Sequence, residues 1–170
     1  MKRFIGIIVV AIIAFGIMGC SSDDGYGLTK TETHGNVSWN VNPSWDYKSD
    51  DEYEIYSSTD GTNGLSFTVS FSKSYANETP DEIIASMKKS MTESSFGKKF
   101  GEDWKQENLG EKSLDNATAY LYHYSFAFVD DPSSRSETYE AIVKSGSTTF
   151  TVSTATEDLL DAVLNTVKIN

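Results

Sequence analysis

Hydrophobic and polar residues alternate along several segments of this chain. The strictest case is Leu65–Phe71, in which every second residue is hydrophobic and the residues between them are serine or threonine. Alternation with a period of two is typical of a β-strand that buries one face. The same pattern predicts strands at residues 36–41, 53–58, 104–111, 117–129, 137–144 and Thr148–Thr154.

The predicted strand at residues 117–129 is the longest, and both of its faces are largely uncharged. One face carries tyrosines and phenylalanines, and the other carries alanines together with Leu121, His123 and Ser125. We expect such a strand to lie in the centre of a sheet that is covered on both sides. Pro43 ends the first predicted strand because proline has no N–H for a neighbouring strand. The charged residues 48–52 are predicted to form a loop.

Two segments have helical periodicity. Thr79 is a suitable N-cap, Pro80 suits the first helical position, and hydrophobic residues then form one stripe: Ile83, Ile84, Met87 and Met91. Thr156 is predicted to cap a second helix with a longer stripe: Leu159, Leu160, Val163, Leu164 and Val167. The order of elements is then three strands, a helix, four strands and a helix. Short connections favour antiparallel pairing, so we predict an α+β fold with helices packed on a single twisted antiparallel sheet.

The first twenty residues predict export. Lys2 and Arg3 precede an apolar run that extends from residue 4 to residue 18, as in a secretory signal peptide. The last four residues, Ile17-Met18-Gly19-Cys20, resemble the bacterial lipobox, in which the cysteine thiol is acylated and becomes the new N-terminus. We therefore predict a signal peptide at residues 1–19, lipidation at Cys20 and a flexible polar tether at residues 20–33. The alternative is an uncleaved transmembrane anchor, although the run is short for one.

Composition excludes several classes of function. Without the signal peptide the chain has 12 basic and 25 acidic residues, a net charge of −13. Nucleic-acid binding requires a basic face, which this chain does not offer, so we predict no nucleic-acid partner. Cys20 is the only cysteine. Once it is acylated, neither a disulfide nor a thiolate metal site can form. We expect a monomer that contacts the membrane through its lipid anchor.

One segment resembles a known family. Residues 35–45, Gly-Asn-Val-Ser-Trp-Asn-Val-Asn-Pro-Ser-Trp, are similar to the opening of PsbP-like (Mog/PsbP-type) domains, in which a strand is followed by proline and tryptophan. The helix after Leu65–Phe71, the long strand at 117–129 and the closing helix add to the resemblance. It implies a PsbP-like α/β/α sandwich over residues 34–170. It implies no activity, because this fold carries unrelated functions.

Candidate chemistry is sparse, so no catalytic residue, metal ligand or cofactor is predicted. The chain has two histidines, His34 beside the tether and His123 in the long strand. A hydrolase would need His123 to reach solvent and to contact both a hydroxyl and a carboxylate. Two distant histidines without a thiol do not match the usual zinc spacings.

The leading prediction is therefore a non-catalytic binding module for a protein or a cell-envelope component. Aromatic residues beside an acidic loop would suit such a surface and favour a cationic partner: Trp45, Tyr47, Asp50, Asp51, Glu52 and Tyr56. The alternative is a small-molecule carrier with a pocket between sheet and helix, lined by Tyr120, Tyr122, His123 and Tyr124.

Overall fold

The structure, a computed structural model, describes residues 25–50, 54–93 and 101–170. Two α-helices lie within these ranges, α1 (Pro80–Thr92) and α2 (Glu157–Leu164), and a short 3-10 helix covers Lys73–Asn77. The strands are β1 (Lys30–His34), β2 (Val37–Val41), β3 (Asp46–Asp50), β4 (Ile55–Asp60), β5 (Leu65–Phe71), β6 (Gly101–Leu114), β7 (Ala117–Phe128), β8 (Arg135–Ser145), β9 (Thr148–Thr154) and β10 (Lys168–Ile169).

The strands form two antiparallel sheets. The larger sheet has seven strands in the order β3-β4-β5-β9-β8-β7-β6, and the smaller has three in the order β1-β2-β10. In the larger sheet β5 pairs with β9, with Val69 opposite Val152, although α1, β6, β7 and β8 lie between these two strands in the sequence. The α+β fold class predicted from the sequence is thus confirmed, with the strands divided between two sheets instead of one.

Both helices begin where the sequence predicts. The Thr79 backbone N–H donates to the Glu82 carboxylate at 2.7 Å, and the Glu82 N–H donates to the Thr79 hydroxyl at 3.3 Å. This reciprocal capping box satisfies two backbone donors at the start of α1. At the start of α2 the Leu159 N–H donates to the Thr156 hydroxyl, also at 3.3 Å.

The main core lies between the larger sheet on one side and the smaller sheet with α2 on the other. Val37, Trp39 and Val41 project from β2 into this core and are at most 1% exposed. They are joined there by apolar residues of α2 and of the larger sheet, among them Leu159, Val163, Val69, Phe150 and Val152. Burial of this much apolar surface is the dominant force that holds the two sheets together.

A second core lies on the opposite face of the larger sheet, beneath α1. Ile83 and Ile84 of α1 are fully buried against Tyr122 of β7 and Ile142 of β8. The molecule thus has three layers: α1, the larger sheet, and the smaller sheet with α2. Strand β7 is covered on both faces, as predicted, although it lies next to the edge strand β6 and not at the centre.

Besides the two-residue strand β10, two strands occur where the sequence predicts none. Lys30–His34, most of which was assigned to the tether, forms β1 and pairs with β2 along its whole length. Asp46–Asp50 forms β3 on the edge of the larger sheet, where a charged loop was expected. Both strands are held mainly by backbone hydrogen bonds and expose most of their side chains, so hydrophobic periodicity does not detect them.

A close contact between β6 and β7 offers a test of this packing. A Cβ atom at Gly101 would clash with Cδ2 of Phe126, a buried ring that lies 6.1 Å from the Trp104 ring. We expect Phe126→Ala to lower the free energy of unfolding by about 3 kcal/mol. Gly101→Ala should be destabilising in the native background and much less so with Phe126→Ala, a coupling of at least about 1 kcal/mol.

Urea unfolding of the native protein, the two single variants and the double variant measures this coupling. Additive effects of the two substitutions would contradict the contact.

Candidate ligand-binding cleft

The structure places the aromatic residues that the sequence assigns to a recognition surface in or against the main core. Tyr56 is only 6% exposed and belongs to the main core, so it cannot be part of an exposed rim. Trp45 is half-buried, and its ring lies 6.4 Å from that of Phe67. Tyr47 is also half-buried, with the Lys30 ammonium 5.4 Å from its ring centroid. These three aromatics are therefore not exposed together, as a recognition surface would require.

The acidic part of that predicted surface is only partly within the described residues. Asp50 is exposed at the end of the edge strand β3. Asp51 and Glu52 lie outside the described residues.

The tyrosine row of β7 forms a packed core and not a pocket wall. The Tyr122 hydroxyl donates to Asp81 at 2.8 Å, and the Tyr124 ring stacks on Trp104 with centroids 4.5 Å apart. Burial raises the pKa of both hydroxyls, and a neighbouring carboxylate raises each further. Tyr120 is half-buried and packs against the same cluster.

His123 points to the other face of the same strand, because side chains alternate along β7. Its ring stacks on Tyr139, and its Nε2 lies 2.8 Å from the Glu137 carboxylate. The structure therefore does not bring His123 together with the tyrosine row. The expected pocket is not formed by these four residues.

A cleft of about 340 Å³ opens instead at the seam between the two sheets. One wall is the β1–β2 turn, and the other is formed by the end of β5, the start of β9 and the 3-10 helix. The lining residues are 34–36, Glu54, Phe71, Ser72, Ala76 and 147–149.

His34 is held in a defined orientation at this cleft. The hydroxyl of buried Tyr56 lies 2.5 Å from Nδ1, and the imidazole packs against the Phe71 ring with centroids 4.5 Å apart. With the Tyr56 hydroxyl as donor, a neutral imidazole carries its proton on Nε2. That nitrogen lies 3.8 Å from the Glu54 carboxylate, beyond direct hydrogen-bonding distance.

Glu54 adopts an uncommon backbone conformation. Its φ is +55°, in the left-handed region that non-glycine residues rarely occupy. The Phe71 N–H donates to the Glu54 carbonyl at 3.0 Å and ties this residue to β5. Strained residues of this kind are concentrated at binding and active sites.

Thr149 adds a polar group without a partner. This residue borders the cleft and is 7% exposed, and its Oγ1 has no hydrogen-bond partner among the described residues. A buried hydroxyl left unpaired costs about 1–3 kcal/mol. This oxygen is itself buried, so the cost falls on the fold and the hydroxyl is not an accessible group of the cleft.

The sequence gives little sign of this site. Its lining comes from segments as far apart as residues 34–36 and 147–149, and only tertiary pairing unites them. One sequence feature could have pointed to this site: the pair His34-Gly35, in which a histidine precedes a glycine. In the structure Gly35 has a φ of +58° and forms the tight β1–β2 turn. Because the sequence places His34 beside the predicted tether, it does not indicate a site there.

A second polar feature lies beneath α1. The carboxyl group of Glu140 is fully buried, and its Oε2 accepts hydrogen bonds from Ser153 at 2.6 Å and Tyr124 at 3.4 Å. Its Oε1 has no partner among the described residues. Burial raises the pKa of Glu140 to about 7, although the surrounding hydroxyls oppose that shift.

The chain has a PsbP-like fold, as the sequence resemblance implies, and a structural match shows it. A similar solved structure is the solution structure of cyanobacterial PsbP (CyanoP) from Synechocystis sp. PCC 6803. It matches with a TM-score of 0.56 and 15% sequence identity, over 91% of this chain and all of that one. At this identity the likeness shows the fold alone. No protein-family model matches the sequence, and no curated protein does either.

The predicted signal peptide and Cys20 lie outside the described residues. No helix in residues 25–50, 54–93 or 101–170 is long and apolar enough to cross a membrane.

Glu140 makes the stability of the protein depend on pH. Its folded-state pKa of about 7 is above the ordinary value of 4.5, so between these values the folded state binds more protons than the unfolded state. Stability should therefore be highest at about pH 5 and fall by roughly 3 kcal/mol by pH 8. Glu140→Gln, which stays neutral, should remove most of this fall.

Urea unfolding at pH 5 and pH 8 tests this, with Glu107→Gln on the exposed face of β6 as the matched control. Equal pH dependence of the native protein and Glu140→Gln would contradict it.

Proposed function

We propose that this protein is an extracytoplasmic lipoprotein that acts as a non-catalytic binding module and takes a small ligand in the His34 cleft. The proposal joins two parts that are tested separately. The first part is the ligand site, and the second is the lipid anchor at Cys20.

The observation that carries the ligand site is the composition of the cleft. A small-molecule site is typically concave and mostly apolar, with a few convergent polar groups that fix orientation. Phe71 and Ala76 supply apolar surface, and His34 and Glu54 supply polar groups. His34 is held by Tyr56, and Glu54 by its strained backbone bonded to Phe71. Such preorganisation lowers the entropic cost of binding.

The anchor is supported by the sequence alone. The basic start, the apolar run and the Ile17-Met18-Gly19-Cys20 lipobox are together typical of an exported, acylated protein. Acyl chains anchor a protein strongly, since each buried methylene contributes roughly 0.8 kcal/mol.

A cationic protein or envelope component is a second candidate partner. The exposed Asp50 on the β3 edge and the net charge of −13 favour encounter with positive charge. The burial of Tyr56 removes one of the aromatic contacts that this candidate relied on, so we place the small-ligand site first.

The cleft can be tested with three probes of five heavy atoms each: butylammonium, 1-butanol and propionate. We expect at least one to bind the full-length protein in ligand-observed NMR and to shift the His34 ring resonances. Ser147→Trp places a bulky ring at the cleft rim and should abolish this binding. Ser113→Trp, the same change at an exposed position of β6, should leave it intact.

Binding of the three probes that survives Ser147→Trp, or no binding of any of them to the native protein, would overturn the cleft assignment. Two-dimensional NMR spectra of both tryptophan variants verify that they are folded.

The anchor is tested by Cys20→Ser. The acyl-accepting atom is the cysteine thiol, so this variant should lose acylation and move from the membrane fraction to the soluble fraction. Mass spectrometry of the mature N-terminus measures the modification directly. An acylated Cys20→Ser protein, or a native protein without acyl chains, would refute the lipoprotein assignment while leaving the cleft proposal untouched.

A further inference from the structure

We infer that the His34 cleft selects organic ammonium ions, with Glu54 as the group that recognises the positive charge. This inference rests on the proposed ligand site and specifies the chemical class of its ligand. It concerns an alkyl ammonium whose charged end meets Glu54 and whose chain lies on the apolar wall.

The charge of the lining is the first argument. Glu54 contributes a carboxylate whose side chain is 32% exposed. Among the side chains that the structure describes, neither a lysine nor an arginine lines the cleft. A carboxylate repels an anion, and it gains a charge-assisted hydrogen bond from an ammonium.

The geometry at His34 is the second argument. The 3.8 Å separation of His34 Nε2 from Glu54 Oε1 is too long for a direct hydrogen bond. The carboxylate is thus close to the imidazole but makes no direct hydrogen bond with it. While His34 is neutral, a ligand N–H can donate to this carboxylate without breaking an ion pair, a cost that would reduce the gain.

The remaining walls are suited to the rest of such a ligand. The Phe71 ring and Ala76 give apolar contact to an alkyl chain. The N–H donors of an ammonium can meanwhile reach the Glu54 carboxylate. A neutral alcohol has one donor and gains no charge-assisted bond.

The net charge of the whole chain also favours a cationic ligand over an anionic one. A net charge of −13 after removal of the signal peptide raises the local concentration of cations around the protein and lowers that of anions. This effect is not specific to the cleft, so the test must separate it from recognition by Glu54.

The three probes of equal size provide that test at pH 7 and about 0.15 M salt, where long-range attraction is screened. We expect butylammonium to bind about tenfold more tightly than 1-butanol, the size of effect that a hydrogen bond to a charged group supports. Propionate should bind more weakly than 1-butanol. Glu54→Gln should reduce the preference for butylammonium to below about threefold.

Glu107→Gln is the matched control, because it removes one negative charge from the exposed edge strand β6 and not from the cleft. It should retain the full tenfold preference. Glu54→Asn serves as a second variant, since asparagine tolerates the left-handed backbone at this position and also removes the charge. Thermal unfolding of each variant verifies its fold.

The outcomes distinguish this inference from the proposal on which it rests. If 1-butanol or propionate binds as tightly as butylammonium and Ser147→Trp blocks that binding, the cleft proposal stands and the inference fails. An ammonium preference that Glu54→Gln and Glu54→Asn leave unchanged also overturns the inference. Absence of binding by all three probes overturns both.

Discussion

The packing of β2 against the larger sheet determines the rest of this architecture. Trp39 is 1% exposed, and its ring lies 5.4 Å from Tyr56 and 6.1 Å from Phe71. This contact fixes the smaller sheet on β4 and β5, and it thereby places the β1–β2 turn beside the end of β5. The cleft exists because two sheets meet there, and His34 reaches it because it is the last residue of β1. Loss of the Trp39 packing would therefore remove the site together with the fold.

Hydrophobic periodicity predicted the elements that bury a face. Strands β5, β7, β8 and β9 and both helix starts were identified because each presents a regular apolar pattern or a capping residue. β1 and β3 were missed because backbone hydrogen bonds hold these strands in place. Residues of almost any type can form such bonds, so the strands have no characteristic hydrophobic pattern. The cleft could not be predicted, since it depends on which strands meet, and sequence alone did not show that a second sheet exists. The tyrosine row was placed on the correct strand, but α1 covers it.

The polar groups on the two faces of the larger sheet differ in their exposure to solvent. Beneath α1, Glu140 is enclosed with hydroxyls, and its charge is opposed by burial, so its protonation is linked to folding. At the seam, His34 and Glu54 are each about one-third exposed and remain accessible to a molecule from solvent. Buried Glu140 therefore affects the stability of the fold. The side chains of His34 and Glu54 at the seam are accessible enough to contact a ligand.

The proposed anchor and the proposed cleft are compatible in space. From Cys20 to Lys30 the chain can span at most about 35 Å when fully extended, so an acylated protein stays close to the membrane surface. Strand β1 then runs from Lys30 to His34, which adds roughly 13 Å at the usual rise per residue. The cleft thus lies at the end of β1 that is farther from the anchor. If the protein is acylated at Cys20, a small solute can therefore reach the cleft from the end of β1 that lies away from the tether.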